Sequence, residues 1–219
     1  MTNTIMLSAD SKSIVYLCKK DKRLAKVINT IGPITYTIHD DGYAFLVHEI
    51  IEQMLSIKAG AKIYKRLEDL CEGNITPQNI NMLSDEQIKS IGTSNSKVSF
   101  IRSLTNSVIS KQIQLNELTS LSDIEVLKTL TALRGIGNWT AKMYLIFVLD
   151  RQDILPYEDV AFLQAFEWLY KTQDRTKDNV EKSAENGVPT VLLQQDTYTE
   201  HWIPDSQKKN FICINNRRK

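Results

Sequence analysis

Two glycines, Gly135 and Gly137, stand one residue apart between two segments with helical patterning, which leaves the chain few ways to connect them. Glycine permits a tight turn between helices that a side chain would obstruct. Ile136, between the glycines, can point into the core and fix the turn. The amides that follow Gly137 then project from a helix N-terminus, where hydrogen bonds and the helix dipole favour an anion. This pattern alone is compatible with both a DNA-binding hairpin and a simple glycine-rich helix cap.

The composition is that of an ordinary globular protein, with 42% hydrophobic and 24% charged residues. A chain of 219 residues can form one large domain or two packed lobes with an ample core. No apolar run reaches the roughly 18 residues of a membrane span, and no secretory signal is evident. We therefore expect a cytoplasmic protein with no membrane partner, associated with the nucleoid if bacterial. The formal charge of +1 neither requires nor excludes a nucleic-acid partner, because positive charge can be confined to one face.

The cysteines argue against two kinds of cofactor. Cys18, Cys71 and Cys213 are far apart, and no CxxC pair occurs. Zinc sites and cysteine-ligated iron–sulfur clusters need closely spaced ligands, so we expect neither. The three thiols are interpreted as reduced structural cysteines.

The apolar periodicity predicts a mostly helical chain. Helices are predicted over residues 43–55, 97–109, 124–133 (capped by Asp123), 139–149 and 160–170. The helix at 139–149 is apolar almost all round, which indicates burial in the middle of the fold. A strand is predicted only weakly, at 34–38. Residues 171–200 are the most polar part and are interpreted as a long surface connection.

Four ordered motifs carry a family resemblance: IEQMLS at 51–56, GTSNSK at 92–97, LRGIGNWTA at 133–141 and LPYED at 155–159. With these motifs the chain resembles the helix-hairpin-helix DNA glycosylase superfamily, most closely its DNA-3-methyladenine glycosylase II branch. The match extends over residues 42–170. Its most specific part is a GIGxWTA hairpin followed about twenty residues later by Pro-x-x-Asp.

The resemblance implies an all-α, two-lobed helix-hairpin-helix glycosylase fold with a cleft between the lobes and a minor sheet or none. The whole chain, 1–219, would form this single two-lobed domain, with the hairpin at 123–149 and the polar segment 171–200 as a variable part. The partner would be double-stranded DNA with damaged bases, and the nucleotide under attack would be extruded into the cleft. We expect the protein to act as a monomer.

The resemblance also assigns the site residues. Asp159 falls on the family's catalytic aspartate, although its position before a helix also suits an N-cap. The residues assigned to the base pocket are Trp139, Gln53, Met143 and Tyr144, of which Trp139 and Tyr144 are also plausible as core residues. The residues assigned to DNA contact are Gly135, Gly137, Thr140, Lys142, Asn95 and Lys97.

Two further implications concern ions and nucleophiles. Members of the superfamily often hold a monovalent cation in the hairpin through main-chain carbonyls, and the matching positions are Thr131, Leu133 and Ile136. Na⁺ or K⁺ at these carbonyls would bridge towards a DNA phosphate, and no cofactor is expected for the chemistry. Bifunctional members carry a lysine nucleophile where this chain has Trp139, so a lyase reaction is not expected.

The implied reaction is hydrolysis of the N-glycosidic bond of an alkylated purine, such as 3-methyladenine or 7-methylguanine, in base-excision repair. A positively charged base is already a good leaving group, so one carboxylate near the sugar can suffice. Trp139 could offer an electron-rich face to such a base.

Several departures from the family pattern keep alternatives open. The paired glutamines are Gln53 and Met54, a pocket tyrosine corresponds to Met143, and the expected apolar wedge falls on or near Asn95. The block at 201–206 matches the family's ending only loosely. The alternatives are a helix-hairpin-helix DNA-binding protein with weak or no glycosylase activity, and a glycosylase for deaminated or oxidised purines.

Overall fold

The computed structural model describes residues 3–184 of the chain. This part is mostly helical, with a single two-stranded sheet formed by β1 (Asn3–Leu7) and β2 (Ile34–Ile38). The predicted all-α class with a minor sheet is therefore confirmed. None of the helices in this range is long and apolar enough to cross a membrane. The chain divides into two compact units, Thr37–Arg151 with the first three residues, and Thr4–Tyr36 with Gln152–Lys219.

The first unit contains most of the helices and the glycine turn. Its helices are α3 (Gly42–Glu52), α4 (Ile57–Leu70), α5 (Pro77–Met82), α6 (Asp85–Ser90), α7 (Asn95–Ile109), α8 (Asp123–Thr131) and α9 (Asn138–Phe147). A short 3-10 helix over Leu115–Ser120 connects α7 to α8.

Side-chain caps explain where these helices begin. Ser84 and Ser122 each form a capping box, in which the serine hydroxyl accepts from a backbone amide three residues on and a glutamine or glutamate side chain bonds back. The prediction that Asp123 caps α8 was one residue off, because Ser122 occupies the N-cap and Asp123 is the first helical residue. An acidic residue there still complements the positive end of the helix.

The core of the first unit surrounds α9. Leu145 and Met143 have no exposed surface, and Tyr144 has 1%. This confirms the prediction that the apolar segment after the hairpin is a buried helix. Arg102 of α7 fixes the edge of the unit, since its guanidinium donates to the carbonyl oxygens of Ile80 and Leu83.

The second unit is built on α1 (Lys12–Lys20), α2 (Lys22–Ile31), α10 (Val160–Tyr170) and α11 (Lys177–Ala184). A contiguous apolar cluster joins the four helices, with Leu24, Phe162, Phe166 and Val180 fully buried. Each such side chain contributes about 1.5–3 kcal/mol when it leaves water. Of these helices, the sequence analysis predicted only α10.

The interpretation of residues 171–200 needs correction, and two features of the sequence lie outside the described residues. The polar segment 171–200 was interpreted as a surface connection, but α11 occupies part of it and buries Val180. The block at 201–206 and Cys213 fall outside the range that the structure describes. Within that range Cys18 and Cys71 are free thiols.

Candidate functional site

The hairpin between α8 and α9 has the predicted geometry, and Gly135 is its critical residue. Gly135 has φ +90°, a left-handed conformation that side-chain-bearing residues rarely adopt. A Cβ atom at this position would overlap the ring of Phe100 from α7. The turn closes with a hydrogen bond from the Ile136 amide to the Leu133 carbonyl, at 3.2 Å. Ile136 is only 4% exposed and points into the core, as the sequence predicted.

Gly137 has a different reason to be glycine. Its φ of −94° suits any residue, and a Cβ there would meet nothing within 4 Å. It is the N-cap of α9, and no side chain caps this helix. The first intrahelical bond runs from the Ala141 amide to the Gly137 carbonyl, so the amides of Asn138 and Thr140 lie before the hydrogen-bond ladder of the helix. Such amides form a ready anion site, which a bare glycine leaves open to close approach.

The turn after α3 is tied to the hairpin. The side-chain amide of Gln53 donates to the Gly135 carbonyl at 2.9 Å. Met54, the next residue, has φ +58° and a side chain that is 101% exposed. An apolar side chain held fully in water on a strained turn has no role in the packing of its own chain. The sequence analysis noted Met54 only as a departure from the family pattern, because exposure and backbone conformation are not visible in a motif.

The start of α7 carries two residues that were assigned to DNA contact, Asn95 and Lys97, and their surroundings differ. Asn95 is exposed in the first turn of α7, behind its N-cap Ser94. Lys97 is half-buried, and its ammonium donates to the carbonyl oxygens of Ile51 and Gln53, both at 2.7 Å. Lys97 therefore binds the end of α3, and its contact with DNA stays a prediction. Burial lowers the pKa of Lys97, while the nearby charge of Glu52 opposes that shift.

Two residues assigned to the base pocket are buried in α9. Tyr144 packs edge-on against Phe45 and lies directly over Gly42, where a Cβ would come within 2.9 Å of its ring. Burial raises the pKa of Tyr144. Tyr144 thus packs in the core of the first unit, and its assignment to the base pocket stays a prediction. Met143 has no exposed surface either.

Helix α9 also carries one more residue assigned to the base pocket and two assigned to DNA contact, and their exposed fractions differ. Trp139 is half-buried in the first turn of α9. Lys142 is only 9% exposed, and its contact with a DNA phosphate stays a prediction. The side chain of Thr140 is 3% exposed, so any DNA contact from this residue would come from its main-chain amide.

Asp159 lies in the second unit, at the start of α10. Its carboxylate accepts a hydrogen bond from the Phe162 amide at 2.8 Å, and its own amide donates to the Pro156 carbonyl at 2.9 Å. The N-cap interpretation is therefore confirmed. Asp159 is also 8% exposed, a low value for a capping aspartate. The helix dipole of α10 stabilises negative charge at this position.

Helix α11 packs against the loop that carries Asp159. The hydroxyl of Tyr157, two residues before Asp159, donates to the carboxylate of Glu181 at 2.7 Å. The ammonium of Lys177 lies 5.6 Å from the centre of the Tyr157 ring. Burial raises the pKa of Tyr157, and the hydrogen bond to Glu181 adds to the shift. The sequence did not predict that α11 packs against this loop, because the composition of α11 is polar.

The three carbonyls assigned to a cation lie where helix α8 ends. Thr131 is the last residue of α8, so its carbonyl belongs to the negative end of the helix dipole. Leu133 and Ile136 are part of the closed turn. Neutral carbonyl oxygens at a helix C-terminus suit a hard monovalent cation, so this donor set fits the predicted ion. Among residues 3–184, no three His, Cys, Asp or Glu side chains are grouped as they would be around a metal ion.

Comparison with known proteins gives one family. A family model described as HhH-GPD superfamily base excision DNA repair protein matches residues 47–190. The DNA-3-methyladenine glycosylase 1 of Schizosaccharomyces pombe is 29% identical over 153 residues, which cover 68% of this chain and 67% of that protein. The DNA-3-methyladenine glycosylase 2 of Escherichia coli is 25% identical over 178 residues, covering 75% of this chain and 60% of that protein.

Two solved structures are also similar. A DNA-3-methyladenine glycosidase from Bacillus halodurans has a TM-score of 0.78 and 32% identity, with 86% of this chain and 89% of that chain covered. A 3-methyladenine DNA glycosylase from Schizosaccharomyces pombe, in complex with abasic DNA, has a TM-score of 0.72 and 27% identity, with 84% and 92% covered.

Proposed function

The chain belongs to the HhH-GPD superfamily of base excision DNA repair proteins, and we propose that it hydrolyses the N-glycosidic bond of alkylated purines in duplex DNA. Its relatives named DNA-3-methyladenine glycosylase are hydrolases of N-glycosyl bonds, and their names suggest 3-methyladenine as a substrate. We propose 7-methylguanine as a second substrate because this base also carries positive charge. The chain would act as a monomer, without a lyase step.

The observation that carries the proposal is the open N-terminus of α9. Gly137 supplies no capping side chain, so the amides of Asn138 and Thr140 can donate to a DNA phosphate. Such contacts fix the position of the duplex without reading its sequence. A repair enzyme that must act at any site in a genome needs this kind of binding.

The exposed Met54 supplies a means to hold the duplex open. Extruding a nucleotide costs a few kcal/mol and leaves a gap in the base stack. An apolar side chain inserted between base steps can fill such a gap. The wedge was predicted on or near Asn95, a polar residue that fills a stack poorly. Met54 suits the task better, because its side chain is unbranched, apolar and wholly exposed.

Chemistry then requires little more than a negative charge and water. A 3-methyladenine or 7-methylguanine base carries positive charge, so it leaves with the electrons of the C1′–N bond and becomes neutral. Asp159 stabilises the positive charge that develops on the sugar. Water adds to C1′, and its proton passes to the carboxylate or to solvent. The product is an abasic site and a free base.

Two features of the hairpin complete the proposal: the ring of Trp139 and a set of three main-chain carbonyls. Trp139 offers a ring face to the cationic base, a contact worth about 1–2 kcal/mol when desolvated. Because Trp139 has no amine, it forms no Schiff base with the sugar. The carbonyls of Thr131, Leu133 and Ile136 would hold Na⁺ or K⁺, which would add positive charge beside a DNA phosphate.

A panel of duplexes with single lesions tests the function. Wild-type protein is incubated with duplexes that contain 3-methyladenine, 7-methylguanine, hypoxanthine, uracil or 8-oxoguanine, and the released bases are separated by chromatography. Release of the two methylated purines is expected, with no covalent adduct after borohydride treatment. Release of hypoxanthine or 8-oxoguanine alone would indicate the alternative lesion class. Tight duplex binding without any release would indicate a DNA-binding protein, an alternative that the burial of Met143 and Tyr144 favours.

A further inference from the structure

Lys97 has unusual partners for a lysine. Its ammonium donates to two main-chain carbonyls, of Ile51 and Gln53, and no carboxylate lies within ion-pair distance of it among the described residues. Hydrogen bonds from a charged donor are roughly twice as strong as neutral ones. An ammonium group that donates two such bonds to backbone oxygens restrains the path of the chain. Its third N–H remains as a donor for other contacts.

The carbonyls that Lys97 binds are those that α3 leaves unsatisfied. Helix α3 ends at Glu52, and Gln53 is its C-cap. The last carbonyls of a helix have no intrahelical partner and carry partial negative charge, so a cation there is stabilising. Lys97 reaches this end from α7, 46 residues along the chain from Ile51.

The residue after this helix end needs restraint. Met54 has a left-handed backbone with φ +58°, a conformation that is unfavourable for a residue other than glycine. Gln53 is held on both sides: its carbonyl accepts from Lys97, and its side-chain amide donates to Gly135. Met54 itself is wholly exposed, so its own side chain contributes no packing that would hold the turn.

We infer that Lys97 is a positioning residue for base extrusion, acting through Met54. It fixes the end of α3 so that Met54 is presented to the duplex in a conformation it would not keep by itself. The inference rests on the proposed function, because it assigns Met54 to the gap left by an extruded nucleotide. It differs from a phosphate contact, which would affect all duplexes alike.

The test is a double-mutant cycle of Lys97→Met and Met54→Ala. Extrusion is followed by the fluorescence of 2-aminopurine placed next to an abasic analogue, which reports unstacking without any base release. Single-turnover release of 7-methylguanine and the affinity for undamaged duplex are measured in parallel. Lys89→Met, at an exposed position of α6, is the matched control.

We expect Lys97→Met to reduce the extrusion signal and the release rate about tenfold to a hundredfold, as small misplacements near a reaction commonly do. Its affinity for undamaged duplex should stay within about twofold of wild type, because the hairpin amides remain. In the Met54→Ala background the same substitution should add little. Lys97→Arg, which keeps the charge and the donors, should recover most of the signal.

Three results would overturn the inference. One is a wild-type extrusion signal in Lys97→Met. Another is an additive effect of the two substitutions, which would mean that Lys97 does not act through Met54. The third is an equal loss of undamaged-duplex affinity, as a general structural role would give. Where Lys97→Met does not fold, Gln53→Ala takes its place in the cycle. Absence of base release by wild type would refute the proposed function, yet the fluorescence would still test Lys97.

Discussion

The side-chain amide of Gln53 donates to the main-chain carbonyl of Gly135 at 2.9 Å, although 82 positions separate the two residues. This bond joins the turn after α3 to the glycine turn between α8 and α9. The exposed Met54 and the open amides of α9 are therefore held near one another within the first unit. We therefore expect a duplex bound at these amides to lie close to Met54.

The two glycines of the hairpin should respond differently to alanine. Gly135→Ala forces a left-handed alanine into the ring of Phe100, so the free energy of unfolding should fall by about 2–4 kcal/mol. Gly137→Ala meets no atom and needs no unusual backbone, so stability should change by less than about 1 kcal/mol while duplex affinity falls. Urea unfolding and fluorescence anisotropy measure the two quantities. Similar unfolding free energies for both variants would contradict the steric account.

Alanine substitutions at Met54 and Asn95 should show which of the two residues acts as the wedge in the base stack. Met54→Ala should weaken binding to abasic-site DNA about tenfold, which is about 1.4 kcal/mol, because alanine is too short to fill a gap between base steps. Asn95→Ala should have a smaller effect. Met54→Gly should also stabilise the fold by about 1 kcal/mol, since glycine adopts φ +58° without cost. Anisotropy titrations with abasic and undamaged duplexes measure the binding affinity. A larger loss of affinity in Asn95→Ala than in Met54→Ala would indicate that the wedge lies in the loop before α7.

Sequence reasoning predicted the parts of the fold that local patterns encode. Composition and spacing alone predict the buried helix after the hairpin, a tight turn that requires glycine, and a cap position at Asp159. The left-handed backbone of Gly135 and its contact with Phe100 are known only from the structure. It missed α1 and α2, although Ile14, Leu17, Leu24 and Ile28 are spaced for burial, because exposed lysines dominate these segments.

The roles of Tyr144 and Lys97 could not be predicted for a different reason. Each depends on a contact with a residue distant in sequence: Gly42 makes room for the Tyr144 ring, and the end of α3 supplies carbonyls to Lys97. A motif indicates which residue types are present, whereas burial and partners come from tertiary packing.

His48 should make stability depend on pH. Its ring nitrogens lie 3.3 Å from Glu49 and 3.4 Å from Glu52, and Glu49 is buried. Burial alone would lower the pKa of His48, but the hydrogen bond to Glu49 and the charges of both glutamates raise it above its ordinary value. Because the folded-state pKa is the higher one, His48 contributes stability below pH of about 6.5 and loses it as pH rises through the raised value.

The measurement is the unfolding free energy of His48→Gln and wild type across pH. The difference between the two proteins should be larger at about pH 6 than at about pH 8.5. A constant difference would show that the histidine packs without titrating.

Helix α11 should stabilise the loop that carries Asp159. Glu181→Ala removes the acceptor of the Tyr157 hydroxyl, so the free energy of unfolding should fall by about 1–2 kcal/mol. Glu181→Gln keeps an acceptor oxygen and should lose less. Base release should fall more in Glu181→Ala than in Glu181→Gln, because Tyr157 precedes Asp159 by two residues. Equal stability of the two variants would show that α11 does not restrain this loop.

Asp159 itself gives the most direct test of the account. Single-turnover release of 7-methylguanine from an alkylated duplex is measured with wild type, with Asp159→Asn and without protein. Duplex affinity and thermal unfolding of the two proteins are the controls. Asparagine keeps a side-chain oxygen for the Phe162 amide, so the cap and the fold should persist while the charge is lost. We expect release by Asp159→Asn to fall by at least about a hundredfold, with affinity retained. Release at the wild-type rate by a folded Asp159→Asn protein would show that this carboxylate does not do the chemistry.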